Sequence, residues 1–264
     1  MSRISVVIVT RNRPTQLRQS LESLGSEHQV IVVDNGTEGA EFSSLEDEFP
    51  NVRWIRLPKN FGLTKALNLG LRSAEGEFVL FLHDDTRIPA AGVSELADVL
   101  ESHPEVGAVA PLLVDDMGHP TPQIRENPPD PELTPVSAMT DVDVASLTGA
   151  ALMVRAFFLK AMRQIDERYG NFGSDLDLCA QVIRRANKKI RIVQSVRAVH
   201  SPTPAVSNLL IADRTIGTAV YLSKYQSAAT GIKLRVSSAL TAIVSLRWAV
   251  AKYLLSNQKL DGTQ

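Results

Sequence analysis

The sequence predicts an α/β fold, a mostly parallel central sheet flanked by helices, with a helical C-terminal extension. Three observations carry that expectation. Short β-branched runs alternate with amphipathic segments over about a hundred residues, as β-α repeats do. The run FVLFL at 78–82 is apolar at every position, as a strand buried on both faces must be. The polar groups that end such runs, Asp34-Asn35-Gly36 and His83-Asp84-Asp85, stand at strand carboxyl ends, where open α/β sheets bind ligands.

Ile4–Val9 reads as the first strand by its β-branched content, and the helix after it starts near Pro14 and puts Leu17, Leu21 and Leu24 on one face. Gln29–Gly36 is a second buried strand closed by a turn signal. After a helix ending near Pro50, VRWIRL gives a third strand. PKNFGLTKALNLGLRSAEG then gives a loop and a helix with Leu63, Ala66, Leu67 and Gly70 at helical spacing. Phe78–Leu82 is the central strand, and a helix over Pro89–Glu101 and a strand over Val106–Ala110 complete the repeat. Pro111 to Pro135 holds seven of the chain's 14 prolines and reads as an irregular excursion, a lid or a binding loop.

Regular structure resumes with a strand at Ala150–Val154 and a helix after it. Asp175–Ala186 is an amphipathic helix with Leu178, Val182 and Ile183 inward and Arg184 and Arg185 outward. Asp175 and Asp177 occupy its first turn, where the helix dipole favours anions. KIRIV and VRAV are two short strands, the second ending at His200. From Asn208 the pattern is helical, with a stripe of Leu240, Val244, Trp248, Ala251 and Leu255 that suits a core or a homodimer interface, or else a membrane surface given Lys233, Arg235, Arg247 and Lys252 nearby.

The 264 residues are 44% hydrophobic, ample for a sizeable core. Lys and Arg total 28 against 29 Asp and Glu, so no global basic field attracts nucleic acid, and an anionic ligand must be recognised locally. The single cysteine, Cys179, cannot form an internal disulfide. Met1–Ser5 leads straight into a strand with no apolar leader. The longest uncharged run near the end, Val236–Leu246, falls short of the ~20 residues of a membrane span. Cytoplasmic residence is expected, with peripheral contact on the inner face of the membrane as a variant of it.

The chemistry gathers at Asp84 and Asp85. Adjacent carboxylates repel, so something cationic should offset them, and a divalent metal carrying a substrate phosphate would do so. From these residues alone a helix-capping role is equally open. Asp34 is read either as a ligand residue or as the shaper of an Asx turn, Asp175 as a functional acid or a helix-terminal charge, and His200 as a ligand or a hydrogen-bonded strand-end histidine.

SVVIVTRNRP, VIVVDNG, PKNFGLTKALNLGLRSAEGEFVLFLHDDTRIP, TGAALMVR and DERYGNFGSDLDLCAQVIRRA, followed by a strand ending in His, occur in an order that resembles the nucleotide-sugar glycosyltransferases of family 2, with the GT-A fold. The resemblance covers Ser2 to His200 and is nearest to bacterial rhamnosyltransferase-like and cell-envelope glycosyltransferases. It implies a GT-A domain over 1–205, with a nucleotide-binding half at 1–110, an acceptor half at 145–205 and an extension at 206–264. It also implies an inverting transfer from a UDP- or dTDP-sugar to a glycan or lipid-linked acceptor, with Mn²⁺ or Mg²⁺ as cofactor. Carried onto this chain, it makes Asp175 the catalytic base and Asp85 and His200 the metal ligands. Thr10, Arg11, Asp34, Asn60, Lys65 and Asp84 become the donor-binding set, and Thr148, Gly149 and Ser174 the acceptor-binding set.

Two departures stand out. His83 opens the acidic triplet where the family has Asp or Asn, which suits Mn²⁺ better than Mg²⁺. Ser174 precedes the base where Glu is usual, and loss of that charge should lower the pKa of Asp175. A nucleotide-sugar-binding module with weak or no turnover, and a sugar nucleotidyltransferase, are the alternatives. The absence of glycine from Thr10-Arg11-Asn12-Arg13-Pro14 counts against the latter.

Overall fold

The computed structural model describes residues 2–37, 41–130, 132–201 and 208–256. The chain runs β1 (Ile4–Thr10), α1 (Pro14–Leu24), β2 (Gln29–Asp34), α2 (Glu41–Glu48), β3 (Arg53–Arg56), α3 (Leu63–Leu71), β4 (Phe78–His83), β5 (Thr86–Arg87) and α4 (Ala90–Ser102). There follow β6 (Val106–Val114), β7 (Pro122–Ile124), β8 (Thr134–Pro135), β9 (Val142–Val144), β10 (Ala151–Arg155), α5 (Ala156–Ala161), α6 (Ser174–Arg184) and β11 (Lys189–His200). Three helices end it: α7 (Asn208–Tyr225), α8 (Ala228–Val244) and α9 (Trp248–Leu255).

The main sheet has the order β3-β2-β1-β4-β10-β6-β11-β5, with β9 also on β11. β3, β2, β1 and β4 are mutually parallel, as are β6 and β11, while β10 lies antiparallel between β4 and β6. The expected mostly parallel α/β sheet is therefore present, and the strand at 106–110 sits next to β10 rather than next to β4. Alternate side chains explain the unbroken apolar runs. Phe78, Leu80 and Leu82 of β4 enter the core under α1 and α4, while Val79 and Phe81 enter the one that includes Leu178 and Val182 of α6.

Two expectations need revision. The irregular excursion begins later than Pro111, because β6 continues to Val114 with every residue buried. Pro111 is tolerated there although proline cannot donate to a sheet ladder. The two strands expected at KIRIV and VRAV are one 12-residue strand, β11, whose register against β6 slips between Val193 and Arg197. An apolar-polar break in sequence thus marks an irregularity, not a turn.

The C-terminal helices are tied to the segment before α6 by buried charge. Asp213, 2% exposed, accepts hydrogen bonds from the Asn171 backbone N–H at 2.9 Å, from its side chain at 3.1 Å and from the Tyr253 hydroxyl at 2.6 Å. Asp177, fully buried, is paired with Lys224 at 2.8 Å and accepts from Tyr225, Tyr169 and Gln181. Buried carboxylates persist only with such partners. Gly217 of α7 lets the helix touch this segment, since a Cβ there would overlap the Phe172 carbonyl. The expected boundary at residue 205 falls outside the described residues. No described helix is long and apolar enough to cross a membrane.

Candidate functional site

The sheet registers gather the chemistry at one edge. Thr10 pairs with Asp34 and Val9 with His83, while antiparallel β5 sets His200 opposite Thr86, the residue after Asp85. Strand ends that the sequence separates by more than a hundred residues thus meet around Asp84 and Asp85.

The cation that should offset these two acids is Arg13. Its guanidinium stands 3.4 Å from Asp84 Oδ1 and 2.9 Å from Asp85 Oδ2. The Thr10 hydroxyl donates to Asp84 Oδ2 at 2.7 Å. Even so, burial lifts the Asp84 carboxyl to about 6. Asp85 goes the other way. Burial pulls it up, but His200, His83 and Arg13 together outweigh that and hold it below its ordinary range.

Asp85 Oδ1 is buried without a hydrogen-bond partner, 3.5 Å from His200 Nε2 and 4.0 Å from His83 Nδ1. One ligand atom from each of His83, Asp85 and His200 lies within 4.8 Å of the others. Desolvation keeps the His83 imidazole below its usual pKa despite the pull of Asp85, which favours the neutral form that ligates metals. An orphaned carboxylate oxygen facing two imidazoles fits a divalent cation. The nitrogen donors suit Mn²⁺ better than Mg²⁺.

Of the other donor-side expectations, Asp34 Oδ1 caps the turn by accepting from the Thr37 backbone N–H at 2.9 Å, the Asx geometry. Asn60 Oδ1 accepts from Asn35 and from the Gly62 backbone N–H, so it knits the loop before α3 to the end of β2. Arg11 reaches the Gly36 carbonyl at 3.5 Å, and Lys65 stands over the Phe61 ring at 4.9 Å. Thr10 joins this group to Asp84.

His83 also lines a cavity of about 220 Å³ together with Thr148, Gly149, Ser174 and Asp175, so the expected base and acceptor residues do share one space. Leu67, Phe81, Leu152 and Phe172 make much of its wall apolar, and Arg214 and Thr218 of α7 reach it from the C-terminal helices. Asp175 Oδ2 accepts from Arg125 at 3.0 Å and from the Gly149 N–H at 3.2 Å, and Oδ1 accepts from the Leu176 N–H. Burial would raise this carboxyl, but Arg125 and the Leu176 N–H outweigh it and keep it below the usual carboxylate range.

Sequence reasoning missed Arg13 and Arg125 as site residues. Arg13 had a signal, the demand for a cation beside paired acids and a basic loop after the first strand. Arg125 had none, because it lies in the proline-rich segment and is held by its backbone bond to Ser146 and by Gln123, whose carbonyl accepts from Thr148.

The profile of Glycosyl transferase family 2 matches residues 5–162, from the second residue of β1 to beyond β10. The chain belongs to glycosyl transferase family 2. Among curated proteins it is 24% identical over 210 residues to the N-acetylglucosaminyl-diphospho-decaprenol L-rhamnosyltransferase of Mycobacterium tuberculosis, covering 66% of this chain and 68% of that one. It is 31% identical to the uncharacterized glycosyltransferase YwdF of Bacillus subtilis over 38% of this chain and 39% of the relative. The chain spans less than half the length of several curated relatives it matches. In fold, this family 2 chain is similar to S. aureus TarS 1-349, with a TM-score of 0.60 at 21% identity, covering 86% of this chain and 68% of that 1-349 chain. It is also similar to GalNAc-T7, solved with UDP, GalNAc and Mn²⁺, with a TM-score of 0.63 at 15% identity over 83% and 47% of the two chains. The GT-A fold expected from the sequence is thereby established.

Proposed function

We propose that this chain transfers a sugar, with inversion, from a nucleoside-diphosphate donor to a hydroxyl of a glycan or lipid-linked acceptor in bacterial envelope or polysaccharide synthesis. One observation carries the reading: His83 belongs both to the cluster with Asp85 and His200, whose ligand atoms lie within 4.8 Å of one another, and to the wall of the cavity that holds Asp175. A diphosphate held by one group and a hydroxyl beside the other would meet across a single imidazole.

Asp85, His83 and His200 would hold the divalent cation, which when bound supplies positive charge to the departing diphosphate. Arg13, already on the acids, adds a fixed positive charge on the same side. Asp175, kept ionised by Arg125, accepts the proton of the acceptor hydroxyl, a step worth about 10²–10⁴ in rate. The acceptor oxygen bonds to the anomeric carbon as the bond from that carbon to the diphosphate oxygen breaks. With a single base on the cavity side, the configuration inverts. Thr10, Arg11, Asp34, Asn60, Lys65 and Asp84 remain the proposed donor contacts, and Thr148, Gly149 and Ser174 the acceptor contacts.

Structural relatives lend support, since S. aureus TarS is known in complex with UDP and with UDP-GlcNAc. The alternative is a binding module with slow turnover, favoured by the contact of Arg125 with the only acid lining the cavity among the described residues. Titration of UDP- and dTDP-sugars with and without Mn²⁺ decides between them. Mn²⁺-dependent binding with release of nucleoside diphosphate supports transfer. Binding without release, with every acceptor offered, leaves the module. Unchanged affinity on adding Mn²⁺ would overturn the cation site.

A further inference from the structure

The C-terminal helices carry a charge pattern unlike the rest of the chain. Residues 214–260 contain seven Lys and Arg and not one Asp or Glu, while the remainder holds 21 cations against 29 acids. In this acid-free region α8 buries Gly231, Ala239 and Ala242, and turns Ile232, Val236, Leu240 and Val244 to solvent. Their spacing of four residues keeps them on one side of the helix, and exposed Lys233 stands within that stripe. The stripe expected to continue into the last helix is broken, because Leu246 adopts φ 56 and the chain turns. Past the turn the exposed pattern resumes, with Trp248, Lys252 and Leu255 on one face of α9 and Ala251 buried behind them. Val244 is 83% exposed and Trp248 62%. Nothing among the described residues covers this surface.

We infer that the exposed faces of α8 and α9 seat the protein on an anionic lipid surface, with Trp248 and the aliphatic residues entering the interface and Lys233, Arg247 and Lys252 among the headgroups. Charge decides against a second copy of the chain as occupant. A twofold interface brings a patch against itself, and this patch would press cation on cation with no acid to answer. A layer of acidic headgroups satisfies the same cations and takes up the apolar residues between them. The placement also suits the cavity. Ile211 and Thr215 line the groove beside α8, while Arg214 and Thr218, on the same turns of α7, line the cavity that holds Asp175.

The test is flotation of the full chain with phosphatidylcholine vesicles, with and without phosphatidylglycerol, beside a Val236→Glu/Val244→Glu variant. Neither residue lies in the catalytic cavity, so that variant should keep its turnover of a water-soluble acceptor. The native chain should float only with the phosphatidylglycerol vesicles, release in high salt, and show a blue-shifted Trp248 emission in a Trp54→Phe background. The double variant should lose about tenfold or more in vesicle affinity. Absence of flotation, equal flotation with both vesicle types, or unchanged binding by the double variant would each overturn the inference. So would a concentration-dependent dimer that the double variant abolishes in a protein that ignores vesicles.

Discussion

Asp84 and Asp175 are both largely withdrawn from solvent, both sit near His83, and both have an arginine for a neighbour, yet their carboxyls are driven in opposite directions. Asp84 meets Arg13 at only 3.4 Å, shares it with Asp85 and stands beside that second negative charge, so burial prevails and its pKa climbs to about 6. Asp175 has Arg125 to itself at 3.0 Å and two backbone N–H donors besides, and it falls below the usual range. Burial alone therefore does not set the charge of a buried acid here. What sets it is the sum of cations and hydrogen-bond donors around each carboxyl, for Asp85 shares Arg13 too and is still held low by His200 and His83.

The harshest way to break the comparison is Asp175→Asn. It should cut turnover by about 10²–10⁴ while calorimetric donor affinity stays near the native value, because only the proposed proton acceptor is lost. Survival of turnover would hand the base role to another group. Arg125→Met sharpens it further. With that guanidinium gone, burial is opposed only by the weaker pull of the backbone N–H donors and His83, the pKa of Asp175 rises, and the acid limb of the kcat/KM profile should move to higher pH, with a loss of about tenfold at neutrality. A uniform loss with no movement of the limb would mean that Arg125 only shapes the loop.

The smallest effect concerns stability. Asp84 has a folded pKa of about 6 against an ordinary 3.8, so between those values the folded chain binds more protons than the unfolded one. Its contribution to stability therefore falls as pH rises from about 4 to about 6, and the full cost remains at pH 7. Asp84→Asn should remove that slope in a chelator-treated sample and raise stability at pH 7 by roughly 1–3 kcal/mol. A lower melting temperature would show that the Thr10 and Arg13 contacts outweigh the desolvation.

Much of the acidic edge of the sheet was legible because its causes are local. A five-residue apolar run between polar signals fits a strand covered on both faces, and polar residues at its end then lie at the sheet's edge, so His83, Asp84 and Asp85 could be placed from the sequence. His200 was legible as a strand end, although the strand behind it is longer than expected. What sequence could not give was pairing across the sheet: β10 between β4 and β6, the single long β11, and Arg125 on Asp175, 50 residues away in the chain. These depend on register and on a loop whose prolines carry no periodicity. His83 stood out as a departure from the family's pattern, yet only the fold shows that its ring faces Asp85 on one side and the cavity on the other.

The bond from Asp213 to the backbone of Asn171 gives the last three helices a part in the floor beneath Ser174 and Asp175. A chain shortened after residue 205 would forfeit that anchor together with Arg214 and Thr218, and should fold around an open, misaligned pit. The exposed tail and the carboxylate proposed as the base are then mechanically linked through α7.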